Sequence, residues 1–265
     1  KNNRAQRKRL TVSLNTQDYE PVAWLRYYER PTVSAIAPTG GPTRPGYQLQ
    51  VVGSGLDGML AAMNTADEYG VTGLFKPLCR FGAMIGAVTK VGSDGESLEC
   101  DVPTNGSAGA YQTAFALNGL DFDVGVDERF DAPHRYLYFH QKLLLVTPGG
   151  GPVGGGTVVR VEGEGFDGFD NLAATAKCRF VRDGAACATT SSARCDDGAA
   201  ALGKVRVILS GNALECEAPD VGVVSDTHIQ VSLNGVHFVG ADTEDASWLL
   251  YQYYHQPRLL GLDPA

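Results

Sequence analysis

The residues able to do chemistry in this 265-residue chain are six cysteines, five histidines, two glycine-rich runs and two acidic loops. Gly53-Ser54-Gly55-Leu56-Asp57-Gly58 and Gly163-Glu164-Gly165-Phe166-Asp167-Gly168 both match the G-x-G-x-x-G pattern, each after a strand-like run. A dinucleotide site needs that pattern at the N-terminus of a crossover helix, where the backbone approaches a pyrophosphate. The second copy leaves no room for such a helix before Cys178, so these are read as turn glycines. His134, His140, His228, His237 and His255 form no catalytic set: the chain holds no Gly-x-Ser-x-Gly elbow, no His-Glu-x-x-His, and no cysteine beside a plausible base. Asp121, Asp123, Asp127, Glu128 and Asp131 crowd one loop, and Asp242, Glu244 and Asp245 another. Calcium needs about six to eight converging oxygens, and neither spacing matches a calcium loop, so solvated charge is the reading taken. No catalytic residue, metal or cofactor is expected, and the chain is not expected to be an enzyme.

What positions these residues is a repeat. Residues 11–38, 113–148 and 229–264 each run from an apolar strand ending in Leu-Asn through a turn to an aromatic cluster, then to an apolar stretch closing on Pro. The closing prolines are Pro38, Pro148 and Pro264, and His140 and His255 fall at nearly equivalent places beside them. Cys-Arg-Phe recurs at Cys79 and Cys178; Leu-Glu-Cys, with Pro three residues on, recurs at Cys100 and Cys216. Self-similarity of this kind marks an array. The expected organisation is 1–29 as the last strands of one domain, 30–139 and 140–255 as two whole domains, and 256–265 as the start of another.

Inside a repeat the apolar period is two. Tyr47, Leu49 and Val51 alternate with polar neighbours, as do Val159 and Val161, and Ile229, Val231 and Leu233. Such alternation buries one face of a strand and wets the other. Short strands punctuated by Gly, Asn, Asp and Pro, in a unit of this length, predict an all-β fold of tandem β-sandwiches. One short helix is expected, at Met59–Tyr69. Thirty-three glycines fit many turns.

A net charge of −8, from 22 Lys and Arg against 30 Asp and Glu, excludes a basic nucleic-acid binder. The basic run Lys1, Arg4, Arg7, Lys8 and Arg9 suits an anionic partner or, equally well, an exposed strand or loop of an incomplete domain. No apolar run reaches the roughly 20 residues that span a bilayer.

The ordered pattern Gly154-Gly-Gly-Thr157, Gly163-Glu-Gly-Phe166, Cys178-Arg-Phe180, Cys216 to Pro219 and Val231 to Gly235 resembles the IPT/TIG domain, an immunoglobulin-like fold of plexins, hepatocyte-growth-factor-type receptors, fibrocystin-like surface proteins and some transcription factors. Residues 30–139 carry the same pattern less closely, with Leu56 in place of Phe and a longer segment before Cys79. The resemblance implies immunoglobulin-like sandwiches in a linear array, serving adhesion, ligand reception or spacing, without an active site.

The repeat also narrows the cysteine pairings. Cys79 and Cys100 match Cys178 and Cys216, while Cys187 and Cys195 share an insertion that the first repeat lacks. The expected disulfides are Cys79–Cys100, Cys178–Cys216 and Cys187–Cys195, each worth about 2–4 kcal/mol if unstrained. Zinc is disfavoured because no Cys-x-x-Cys occurs. Disulfides place a chain in an oxidising compartment, hence outside the cell or on its surface. The sequon Asn105-Gly106-Ser107, in a polar turn, is a candidate glycosylation site. The aromatic clusters Trp24 to Tyr28, Tyr136 to Phe139 and Trp248 to Tyr254 are read as core and junction packing. The function expected is a non-catalytic spacer and protein–protein surface of a larger extracellular protein, with other protein chains or neighbouring domains as partners. The alternatives are a glycan-binding accessory module, which needs a line of exposed aromatics on one face, or an intracellular filament or axoneme scaffold, which needs free thiols.

Overall fold

The computed structural model describes residues 6–28, 30–44, 46–56, 76–104, 107–122, 135–169, 172–182, 200–240 and 249–258. The chain divides into two compact units. The first holds residues 1–37, 48–103 and 112–135; the second holds 38–47, 104–111 and 136–265.

The first unit opens with an antiparallel hairpin of β1 (Gln6–Val12) and β2 (Glu20–Tyr27). Six strands follow, β3 (Thr32–Ala37), β5 (Tyr47–Ser54), β6 (Leu78–Phe81), β7 (Met84–Val91), β8 (Ser97–Val102) and β9 (Gly109–Ala116), hydrogen-bonded in the order β3-β5-β8-β7-β6-β9. Along β5 the expected alternation holds: Tyr47, Leu49 and Val51 are buried, Gln48 and Gln50 exposed. Strand β7 changes partner along its length. Met84–Ala87 pair with β6, and Val88–Val91 pair with β8 across a bulge between Val88 and Lys90. A strand that changes partner in this way carries the chain from one layer of a sandwich to the other.

The second unit contains β4 (Gly40–Pro42) lying parallel to β10 (Arg135–Phe139). It also contains a complete set of eight strands: β11 (Lys142–Thr147), β12 (Gly150–Pro152), β13 (Val158–Glu164), β14 (Lys177–Arg182), β15 (Ala200–Ser210), β16 (Ala213–Glu217), β17 (Ser225–Ser232) and β18 (Leu250–Tyr254). Their order is β11-β13-β16-β15-β14-β17-β18-β12. The order and the strand pairings repeat those of the first set: β12 runs parallel to β18 as β4 does to β10, and β15 passes from β14 to β16 at Lys204, which pairs with both. The fold is a tandem of immunoglobulin-like β-sandwiches.

The core of this set gathers Val159, Val161, Phe166, Phe180, Leu214, Ile229, Val231, Tyr251 and Tyr253, all at most 1% exposed. Each such side chain stabilises the fold by roughly 1.5–3 kcal/mol relative to exposure. The expected helix at Met59–Tyr69 lies outside the described residues. A four-residue helix not expected from the sequence, α1 (Leu172–Thr175), stands at the corresponding place before β14. Leu and Ala at 172–174 have the propensity for it, and the turn is too short to show a helical period.

Candidate functional site

The two Cys-Arg-Phe motifs lie on β6 and β14, and the two Leu-Glu-Cys motifs on β8 and β16. Cys79 is bonded to Cys100 and Cys178 to Cys216. Each bond ties strands that are not neighbours in a sheet but lie on either side of the strand that changes layers. All four cysteines are fully buried. A glycine of the crossing strand faces each bond: Gly86 pairs with Cys79 and Gly203 with Cys178. A Cβ on Gly86 would overlap the Asp101 carbonyl, and one on Gly203 the Glu217 carbonyl. The small residue lets three strands converge beside the cystine. Cys187, Cys195 and the sequon Asn105 lie outside the described residues, as do all the loop acids of the calcium pattern except Asp121.

The arginine of each Cys-Arg-Phe points away from the cystine onto an aromatic ring. The Arg80 guanidinium lies 4.7 Å from the centre of the Phe122 ring, and that of Arg179 4.2 Å from Phe238. Arg179 is buried, which lowers its pKa, and its Nε donates to Gln230 Oε1 at 2.9 Å.

Both rings follow a shared turn. Asn118 Oδ1 accepts from the amides of Leu120 and Asp121, and Asn234 Oδ1 from those of Val236 and His237. A third copy closes the β1–β2 hairpin, where Asn15 Oδ1 accepts from Gln17 and Asp18. The next residue is left-handed each time, at Thr16, Gly119 and Gly235. In two copies the amide Nδ2 donates to a carboxylate, Asp18 or Asp121. In the third it donates to His237 Nδ1 at 2.9 Å and to the Gly40 carbonyl at 2.7 Å, in the buried part of the second unit. Because Nδ2 can only donate, His237 Nδ1 is an acceptor here, and its ring stacks on Tyr47 at 4.3 Å. The arginines and asparagines stood in the repeated Cys-Arg-Phe and Leu-Asn motifs with no role given to their side chains, and Phe122 and Phe238 were not singled out from the sequence. The signal available was Asn followed four residues later by Phe in both repeats.

The aromatic clusters divide. Tyr136, Tyr138, Phe139, Tyr251 and Tyr253 are buried, with Tyr136–Tyr138 and Tyr251–Tyr253 meeting edge to face at about 5 Å. Burial raises the pKa of all four tyrosines. On the β1–β2 hairpin, by contrast, Tyr19, Trp24 and Tyr27 are exposed. The pattern glycines Gly55 and Gly165 are left-handed, and a Cβ on Gly53 or Gly163 would overlap a neighbouring backbone carbonyl, so turn geometry and close packing use them. His140 Nδ1 lies 3.3 Å from Thr43 Oγ1, and His255 is exposed. Among the described residues no three His, Cys, Asp or Glu side chains converge as metal ligands. A groove of about 530 Å³ in the first unit is lined by Tyr28, Arg30, Pro31, Arg80, Leu120, Asp121 and Phe122. Its mixed aromatic and charged lining suits contact with another surface better than enclosure of a small molecule.

No family model matches the chain. Human fibrocystin-L is 27% identical over 139 residues, which take in 52% of this chain and 3% of that protein. The two sets of strands resemble IPT/TIG domains in tandem. The chain spans only a small part of the length of the curated relative it matches. Among solved structures it is similar to the plexin A4 extracellular region, domains 1 to 10, at 14% identity and a TM-score of 0.44, covering 89% of this chain and 16% of that one. It is also similar to SGBP-B of Bacteroides ovatus, solved with a mixed-linkage heptasaccharide, at 12% identity and a TM-score of 0.28, covering 86% and 47%.

Proposed function

We propose that this chain is a non-catalytic segment of a larger extracellular or cell-surface protein, in which tandem IPT/TIG-like sandwiches act as a semi-rigid spacer and as a surface for other protein chains or neighbouring domains. The observation that carries it is the cystine buried at the same repeat position in both sandwiches. Such bonds persist in oxidising compartments and are rare in the cytosol, which favours an ectodomain over an intracellular scaffold. In this reading the domains run 30–139 and 140–255, with 1–29 and 256–265 belonging to flanking domains. Cys187–Cys195 staples the insertion of the second domain, and Asn105 carries a glycan. Against a glycan-binding module stands the burial of Tyr136, Tyr138, Phe139, Tyr251 and Tyr253, since a sugar platform needs its rings in water; the exposed Tyr19, Trp24 and Tyr27 of the β1–β2 hairpin, and Tyr254, favour it.

A peptide mass map of the native, unreduced protein tests the proposal. The expected result is three linked peptides, Cys79–Cys100, Cys178–Cys216 and Cys187–Cys195, with added mass on the Asn105 peptide. Six free thiols and an unmodified Asn105 in protein taken from its natural source would overturn it in favour of an intracellular scaffold.

A further inference from the structure

The last strand of each set ends in an aromatic residue followed by His-Gln: Phe139-His140-Gln141 and Tyr254-His255-Gln256. The register makes them equivalent. Phe139 pairs with Pro42 of the parallel strand β4, and Tyr254 with Pro152 of β12. The Phe139 carbonyl accepts from the Thr43 amide at 3.0 Å, and that of Tyr254 from Val153 at 2.9 Å.

Their surroundings differ. Phe139 is 1% exposed and belongs to the core cluster of β11–β18, with its ring 5.4 Å from that of Phe169. Gln141 is buried too, its Nε2 donating to the Val231 carbonyl of β17 at 3.1 Å. Tyr254 is 47% exposed, and Gln256 is exposed. Ser225 pairs with Tyr253, and the exposed Val223 and Val224 directly precede it, at the same end of the β17–β18 pair as Tyr254. An aromatic ring with two valines is apolar surface of the kind that marks an interaction site.

We infer that Tyr254, Val223 and Val224 form the seat of a further sandwich of this same kind, following in the same polypeptide. That sandwich covers Tyr254 with an aromatic residue three positions past its Gly-x-Gly-Phe motif, as Phe169 covers Phe139. It takes the Gln256 amide on a backbone carbonyl of its β17-like strand, as Val231 takes Gln141. The inference rests on reading the chain as part of a longer tandem array. It adds which residues make the joint and what occupies it.

The test is amide hydrogen exchange on this 265-residue chain and on a natural polypeptide that continues past Ala265. Peptides carrying Val223–Val224 and Tyr254–Gln256 are expected to exchange at least about tenfold more slowly in the longer polypeptide. Tyr254→Ser in the longer polypeptide is expected to abolish that protection and leave peptides of β14 and β17 unchanged. Because Tyr254 is exposed, the variant folds in the short chain, and its melting there provides the control. Equal exchange in both lengths overturns the inference, as does a natural polypeptide that ends at Ala265. Protection that appears in the short chain with rising concentration also overturns it, assigning the seat to a second copy. The disulfide map tests the compartment independently: an oxidised chain without the protection sinks this joint alone, and a reduced chain with it sinks only the extracellular reading.

Discussion

At Asn234 one side chain closes a turn and bonds to a backbone group 194 residues away. Its Oδ1 serves the turn, which any Asp would also do; its Nδ2 serves Gly40 and His237, which only an amide can do. Asn234→Asp therefore turns a donor into an acceptor facing the Gly40 carbonyl, inside a buried site. A loss of about 1–3 kcal/mol is expected, at least as large as for Asn234→Ala. Asn118→Asp, in the exposed copy of the turn, is expected to cost under about 1 kcal/mol. Urea unfolding of the three variants decides this, and equal losses for Asn118→Asp and Asn234→Asp would sink the assigned role of Nδ2. The buried tyrosines give a second expectation. Their folded pKa values are raised by burial, with neighbouring phenols adding to the shift at Tyr136, Tyr138 and Tyr253. Below about pH 10 both folded and unfolded chains keep the phenols protonated, and stability is unaffected by them. Above it the unfolded chain ionises first, so stability falls by up to about 1.4 kcal/mol per pH unit for each such phenol. Tyr253→Phe removes one of these groups and its bond to the Pro219 carbonyl. Between pH 9 and 11 its urea midpoint is expected to fall less steeply than that of the parent.

Among the elements, the strands that change layers carry the most specific requirement. Gly203 lies opposite Cys178 with no room for a methyl group between Glu217 and Phe180. Gly203→Ala is expected to lose about 1–3 kcal/mol through overpacking, read as a lowered melting temperature, while Gly156→Ala meets no atoms and fails only on its left-handed backbone. A Gly203→Ala chain that melts with the parent would show that the crossing has slack. The strands themselves were readable, because Tyr47, Leu49 and Val51 alternate with Gln48 and Gln50 whatever the rest of the chain does. The crossing was not. It depends on a third strand closing over the cystine, and one glycine among thirty-three in the chain carries no local mark of that. Likewise the Leu-Asn-Gly turns were visible as turns, but the burial of His237 against Tyr47 comes from sequence positions 190 apart, beyond any periodic signal.

For the whole molecule, the repeat sets the expectation that both sandwiches depend on their cystines alike. Reductant is expected to lower the melting of both by about 10 °C or more, from a loss of about 2–4 kcal/mol in each. Calorimetry with and without reductant reads this, and an unchanged thermogram would reduce the bonds to bystanders.

The parallel pairing of β12 with β18 has a mechanical consequence. These neighbouring strands come from near the start and the end of the sandwich's sequence, and chain tension pulls them in opposite directions along their own axes. The bonds joining Gly150–Pro152 to Gln252–Tyr254 then bear load together, in shear, instead of opening one after another. Once they rupture, the cystine between Cys178 and Cys216 withholds their 38-residue loop, about 130 Å of extended chain, from the contour released. Single-molecule stretching should show steps that lengthen by about that amount on reduction. Under pull, the molecule would behave as a stiff tether with a built-in limit to its extension.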